Sequence, residues 1–170
     1  MIHKAVFIDR DGVINSDEGH YYIYRVDDFK LNPDLPQALK LLADNGFILI
    51  VVTNQGGVAK GEYTLEDVEK VHNHLRKLLA TEDVELDAIY VCPHHHSIAP
   101  CECRKPSPFM ILKGLNEFDI DPKRSFMIGD STRDIEAGEA AGLRECFKVP
   151  KNTSILDVCK LIVEIDGSTR

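Results

Sequence analysis

The chain has 170 residues and a mass of 19.1 kDa, with 44% hydrophobic and 28% charged residues, which fits one soluble globular domain over 1–170. Its 20 Lys and Arg stand against 28 Asp and Glu, a formal charge of −8. That balance argues against a nucleic-acid binder, because phosphate backbones need clustered basic surface. The longest apolar run, Phe47 to Val52, is far shorter than the roughly 18 residues of a membrane span, and MIHKAVFIDRDG lacks the features of a signal peptide. The expectation is a cytoplasmic monomer with no nucleic-acid and no membrane partner; the acidic balance does not forbid a small phosphorylated substrate, which needs only a few local cations.

Val6-Phe7-Ile8 reads as a strand that stops at Asp9. Leu35 to Leu42 reads as a helix, with Pro36 near its start and Asn45-Gly46 as its stop. Phe47 to Val52 is a doubly buried strand that stops at Thr53. Thr64 opens a second helix, with Asp67 three residues on as a weak capping box. Leu65, Val68, Val71, Leu75, Leu78 and Leu79 give that helix an apolar stripe. Ala88 to Val91 is a strand stopping at Cys92, and Ser107 to Phe118 a helix. Ser125 to Ile128 is a strand stopping at Gly129-Asp130, and Arg133 to Ala141 a helix ended by Gly142. Glu145 to Val149 and Ser154 to Glu164 close the series as strand and helix.

This alternation predicts an α/β fold: a Rossmann-like three-layer α/β/α sandwich around a mostly parallel sheet. Ligands in such sheets bind beyond the carboxyl ends of the strands. The residues there are Asp9-Arg10-Asp11-Gly12, Thr53-Asn54-Gln55-Gly56, Cys92-Pro93-His94 and Gly129-Asp130-Ser131, so all four are expected on one rim.

Asp9 and Asp11 lie two apart and can face one pocket, and Asp130 reaches the same rim. Acids this close repel unless a cation sits among them, and hard oxygen ligands on a half-open rim suit Mg²⁺. Taken singly, each Asp could instead cap a helix or make a turn. Thr53 offers a hydroxyl, and Gln55-Gly56-Gly57 lets backbone N–H groups turn toward an anion. Arg104-Lys105-Pro106 brings two cations to a helix start; alone it reads as a solvated loop. Cys92-x-His94 and Cys101-x-Cys103 together fit a closed tetrahedral Zn²⁺ site in a loop spanning about 92–103. His95 and His96 compete with His94, and free thiols beside a His run are the plain alternative. Cys146 and Cys159 read as buried, inert thiols.

Phe7 to Asn15 resembles the Asp-x-Asp-Gly signature of the haloacid dehalogenase (HAD) superfamily, with Thr53, Lys105 and Gly129-Asp130-Ser131 as its later motifs. The stretches Thr53 to Gly61 and Cys101-x-Cys-Arg-Lys-Pro106 resemble the D,D-heptose 1,7-bisphosphate phosphatase branch, whose near relative is the histidinol-phosphatase domain. The resemblance runs from about Ala5 to Gly142; residues 143–170 carry none of the motifs.

It implies a Mg²⁺-dependent phosphomonoesterase without a cap domain. Asp9 would be the nucleophile, and Asp11 the acid and then the base. The ion would rest on the Asp9 carboxylate, the Asp11 backbone carbonyl and Asp130. Thr53 and Lys105 would hold phosphoryl oxygens. Arg104 would recognise substrate, with Asn54, Gln55, Gly56 and Asp17-Glu18-Gly19-His20 beside it. Cys92, His94, Cys101 and Cys103 match the family's structural zinc ligands. The implied reaction removes the C7 phosphate of D-glycero-D-manno-heptose 1,7-bisphosphate. Histidinol phosphate is the alternative substrate, because the His94–Cys101 gap is shorter than in typical heptose enzymes; Tyr21 to Asp28 is slightly longer. A non-enzymatic phospho-acceptor domain is the distant alternative, but it would carry its acceptor on a later strand.

Overall fold

The computed structural model describes residues 2–168. In chain order the elements are β1 (Lys4–Ile8), α1 (Leu35–Asp44), β2 (Phe47–Asn54), α2 (Leu65–Ala80), β3 (Ala88–Cys92), α3 (Phe109–Glu117), β4 (Phe126–Gly129), α4 (Thr132–Ala140), β5 (Glu145–Lys148) and α5 (Leu156–Gly167). Short 3₁₀ turns at Val26–Asp28 and Pro122–Arg124 add to the expected alternation.

All five strands are parallel, in the order β3-β2-β1-β4-β5. β1 lies at the centre, with Ile8 opposite Val51 on one side and Ile128 on the other. The sheet therefore changes direction at β1 and β4, the switch point where such sheets open a crevice.

Period-two alternation sorts the central strands into two cores. Val6, Ile8, Leu49, Val51, Phe126 and Ile128 point to one face, covered by Leu35 and Leu39 of α1, Leu75 of α2 and Ile162 of α5. Ala5, Phe7, Ile50, Val52 and Met127 point to the other, covered by Met110 and Ile111 of α3 and Ala137 of α4. Each such large side chain contributes roughly 1.5–3 kcal/mol on burial. β1 has no polar face because helices cover both sides of it.

Several boundaries differ from the sequence reading for local reasons. β2 runs on through Thr53 and Asn54, which pair with Val91 and Cys92. α3 starts at Phe109, not Ser107; the Ser107 hydroxyl donates to the Glu102 carbonyl (2.6 Å) and accepts from the Phe109 N–H (3.2 Å). α5 likewise starts at Leu156, whose N–H donates to the Ser154 hydroxyl at 3.2 Å. Leu65 opens α2 but is 54% exposed, so the buried stripe begins at Val68. Among the described residues no helix is long and apolar enough to cross a membrane.

α4 must pack closely, because it carries residues of the rim. A Cβ at Gly138 would stand 2.4 Å from Cys146 Sγ and 3.0 Å from Met127 Cβ. The latter belongs to the sheet and cannot move aside. Gly138→Ala is therefore expected to destabilise the fold by about 1–3 kcal/mol in urea unfolding, despite the better helix propensity of alanine. A variant as stable as the wild type would contradict this packing.

Candidate active site

Past the end of β1, the Asp9 N–H still donates to the Ile128 carbonyl at 3.0 Å, which sets Asp9 beside β4. Into this junction comes Lys105, only 3% exposed. Its ammonium donates to Asp9 Oδ1 (2.9 Å), Asp134 Oδ1 (2.6 Å) and the Val52 carbonyl (2.8 Å). Three donors meet three acceptors, so the buried cation is satisfied. Its backbone is clamped as well: Lys105 N–H donates to Asn54 Oδ1 (3.0 Å), and Asn54 Nδ2 donates to the Lys105 carbonyl (3.1 Å). The other Asp134 oxygen accepts from the Ser131 N–H, half of a capping box that starts α4.

Carboxylate oxygens of Asp9, Asp130 and Asp134 lie within 4.8 Å of one another. Three carboxylates and one ammonium leave two negative charges. Burial pushes the Asp9 carboxyl up to about 8 against the pull of Lys105, with Asp134 and Asp130 adding to the rise. Burial and Asp134 also raise Asp130. For Lys105, burial favours the neutral amine, but Asp9 and Asp134 outweigh it and hold the ammonium. Asp130 Oδ2 is buried without a hydrogen-bond partner. Gly12, at φ +88°, comes so close that a Cβ there would fall 2.1 Å from that oxygen. An oxygen-only donor set two charges short and an orphaned carboxylate oxygen fit a hard divalent cation such as Mg²⁺.

Asp11 has a different environment. Its carboxylate turns from the other acids and accepts from Arg10 Nε and Nη2 (2.8–3.0 Å), Asn15 Nδ2 (3.0 Å) and Gln55 Nε2 (3.0 Å). Burial acts to raise its pKa, but Arg10 and these bonds hold it below the ordinary carboxylate value. Arg10 is fully buried and also reaches the Ile23 carbonyl (2.6 Å) and His72 Nε2 (3.2 Å). His72 is pushed down to about 3 by burial and by Arg10, so its neutral ring accepts that bond. Gln55 Nε2 also donates to Thr53 Oγ1 (2.9 Å), while Tyr63 OH donates to Gln55 Oε1 (2.6 Å).

A cavity of ≈ 110 Å³ is lined by Asp9, Asp11, Thr53, Lys105, Asp130 and Arg133, among others. A second, of ≈ 500 Å³, shares Asp11, Asn54 and Arg133 with it and adds Asp17, His20, Gln55, Gly56, Arg104 and Lys151. Of the expected Asp17–His20 stretch, Glu18 and Gly19 are exposed and line neither cavity. The His20 N–H closes a turn on the Asp17 carbonyl at 3.0 Å and turns the tip outward. Asp17 itself is tied to Lys151 Nζ and Asn152 Nδ2, both at 3.0 Å. Burial and the neighbouring Arg133 hold the Arg104 guanidinium below its ordinary value.

Beside this mouth, Cys92 Sγ, His94 Nδ1, Cys101 Sγ and Cys103 Sγ lie within 4.8 Å of one another, with five contacts between 2.9 and 3.9 Å. Soft ligands at the corners of a small tetrahedron fit Zn²⁺. His95 and His96 stack on each other outside the group, 4.2 Å between ring centroids, and line the larger cavity.

The structure therefore gathers Asp9, Asp11, Thr53, Lys105 and Asp130 at one rim. Sequence reasoning missed Asp134, Arg10, Tyr63, His72, Arg133 and Lys151. Asp134 carries a visible signal, since Ser131-x-x-Asp134 has capping-box spacing. Arg10 stands inside the Asp-x-Asp pair itself.

A doubly wound parallel sheet with carboxylates and a buried lysine at its switch point defines a HAD-type phosphatase. The HAD-hydrolase-like family model matches residues 102–147. The D-glycero-beta-D-manno-heptose-1,7-bisphosphate 7-phosphatase of Pasteurella multocida is 38% identical over 169 residues, covering 96% of this chain and 86% of its own. The corresponding alpha-named enzyme of Campylobacter jejuni is 41% identical over 138 residues, covering 81% and 77%. The crystal structure of D,D-heptose 1,7-bisphosphate phosphatase from B. bronchiseptica, complexed with magnesium and phosphate, aligns with a TM-score of 0.84 at 26% identity over 96% of this chain and 99% of that one. The chain belongs to the HAD-like hydrolases, in the family of the heptose-1,7-bisphosphate 7-phosphatases. It is a phosphomonoesterase.

Without a divalent cation, folded Asp9 keeps its proton up to about pH 8, whereas the unfolded group releases it near pH 4. Stability is then lost as pH rises between those values. His72 opposes this below about pH 6.5, because only the unfolded imidazole takes a proton there. From 6.5 to 8 the effect of Asp9 stands clear. In magnesium-free buffer, urea titrations should show the wild type losing stability relative to Asp9→Asn over that interval, and saturating Mg²⁺ should abolish the loss. Parallel pH curves for the two proteins would contradict the arrangement.

Proposed function

We propose that this phosphatase removes the C7 phosphate of D-glycero-D-manno-heptose 1,7-bisphosphate through a phosphoryl group carried on Asp9. The observation that carries the reading is the buried Lys105–Asp9–Asp134 unit at the floor of a phosphate-sized cavity. The Asp9 carboxylate attacks phosphorus; the bond to the sugar oxygen breaks, and Asp11, which takes up a proton from solvent on leaving its bonds to Arg10, delivers it to that oxygen. Asp11, now ionised beside Arg10, takes a proton from water, which attacks the aspartyl-phosphate and releases inorganic phosphate. Thr53 donates its hydroxyl to a phosphoryl oxygen, and Lys105, its three donors engaged, places its positive charge beneath the phosphoryl group. Asp9, Asp130 and the Asp11 backbone carbonyl would hold Mg²⁺, which when bound screens the carboxylate from the dianionic phosphate.

The larger cavity favours the heptose substrate over histidinol phosphate. Arg104 and Arg133 line it, while Lys151 is paired with Asp17. Histidinol would bring an ammonium group to these cations, whereas heptose bisphosphate brings a second anion.

Cys92, His94, Cys101 and Cys103 are assigned to a structural Zn²⁺. Cys103 directly precedes Arg104 and Lys105, and no helix or strand runs between β3 and α3. Metal cross-linking therefore fixes the loop that delivers both cations.

Asp9→Asn is expected to lower kcat by more than about 1,000-fold in protein that still folds by circular dichroism; a near-normal rate would overturn the nucleophile. Comparing kcat/KM on both anomers of the heptose bisphosphate and on histidinol phosphate should favour a heptose anomer by about 100-fold or more. A preference for histidinol phosphate would reverse the substrate assignment. Chelating zinc should raise hydrogen exchange in 92–103 and lower kcat/KM; unchanged exchange and kinetics in zinc-free protein would remove the structural role.

A further inference from the structure

The smaller cavity accounts for one phosphate. A bisphosphate carries a second, and Arg104 and Arg133 have no part in the buried lysine unit. They come from distant parts of the chain: Arg104 from the segment after the cysteine cluster, Arg133 from the first turn of α4. Both line the ≈ 500 Å³ cavity and another of ≈ 390 Å³. Neither has a carboxylate partner among the described residues. Arg104 Nη1 donates to the His94 carbonyl at 3.1 Å, which fixes its place without neutralising it.

The acids of the same cavity are otherwise engaged. Asp11 is held by Arg10, and Asp17 by Lys151 and Asn152. The mouth therefore holds two unneutralised guanidiniums in a chain whose formal charge is −8. Guanidiniums sharing a cavity repel, and an anion between them removes that cost while accepting hydrogen bonds from both. The volume, within the 300–1,000 Å³ usual for small-ligand sites, has room for a sugar ring and a second phosphate.

We propose that Arg133 is a specificity-determining residue. With Arg104 it forms a second anion site that holds the phosphate not being hydrolysed. This deepens the heptose bisphosphate reading and rests on it. Arg133 also lines the smaller cavity, so it spans the two and can set the distance between the two phosphates.

The test is kcat/KM for wild type, Arg133→Ala and Arg133→Lys on heptose 1,7-bisphosphate and on heptose 7-phosphate, which lacks the second anion. Wild type is expected to prefer the bisphosphate. Arg133→Ala should lower kcat/KM for the bisphosphate about 10-fold or more beyond any loss on the monophosphate, the range of one hydrogen bond to a charged group. Arg133→Lys should recover part of the difference. Equal losses on both substrates, or none, with the wild-type preference intact would overturn the role of Arg133 alone. A wild type that turns over both substrates equally would overturn the second anion site altogether. A wild type inactive on both heptose phosphates would instead fail the underlying substrate reading, and the second anion site with it.

Discussion

The buried ammonium of Lys105 is the constraint on which the rest of this structure depends. It reaches the sheet interior from a loop and satisfies its three donors on Asp9, Asp134 and a β2 carbonyl. Taking one partner from a buried ion pair typically costs about 3–5 kcal/mol, so the three groups stand or fall together. The lysine neutralises only one acid, while Asp130 brings a third carboxylate to the same place. The excess charge opposes folding, and it is also what draws a divalent cation and, with it, a phosphate. Function and instability come from the same feature.

Much of the surrounding architecture keeps this unit in place. Asn54, at the last position of β2, grips the Lys105 backbone from both sides. The cysteine and histidine cluster ends one residue before Arg104. Ser131 starts α4 and orients Asp134 through reciprocal caps, and Gly138 lets that helix lie against β4 and β5. A separate network serves Asp11: Arg10, Asn15 and Gln55 clasp its carboxylate, with His72 and Tyr63 supporting them from behind. Asp9 and Asp11 lie two residues apart but sit in opposite electrostatic settings. Burial destabilises Asp9 as an anion, while Arg10 stabilises Asp11 as one, so a cation at Asp9 and release of Asp11 from Arg10 are what the two groups need to act.

The rim itself was legible in the sequence. A parallel sheet places the residues after each strand together, so Asp9, Thr53, Cys92 and Asp130 could be assigned to one edge before any coordinates. The clustering of Cys92, His94, Cys101 and Cys103 was legible because their spacing leaves few other uses for three thiols and an imidazole. What could not be read is long-range side-chain pairing. Lys105 meets Asp134 only because α4 packs beside the crossover from β3, and nothing local in either segment announces the other. Arg10 stands between two acids in the sequence, and only its burial shows that it is the partner of one of them. The 17–20 stretch was expected to meet substrate as a block, but the turn sends Glu18 and Gly19 outward. Leu65 fell on the apolar stripe by period, although its place at the first position of α2 leaves it in solvent.

The most direct test of the account is the protonation state of Asp9, followed by carboxyl ¹³C chemical shift in protein labelled at aspartate. In the absence of magnesium the Asp9 resonance should titrate far above the usual carboxylate range, near pH 8. With magnesium added it should stay ionised from pH 5 upward. An Asp9 carboxyl that titrates near pH 4 in both conditions would mean that the buried lysine already balances the site, and the case for a charge-starved phosphate pocket would fail.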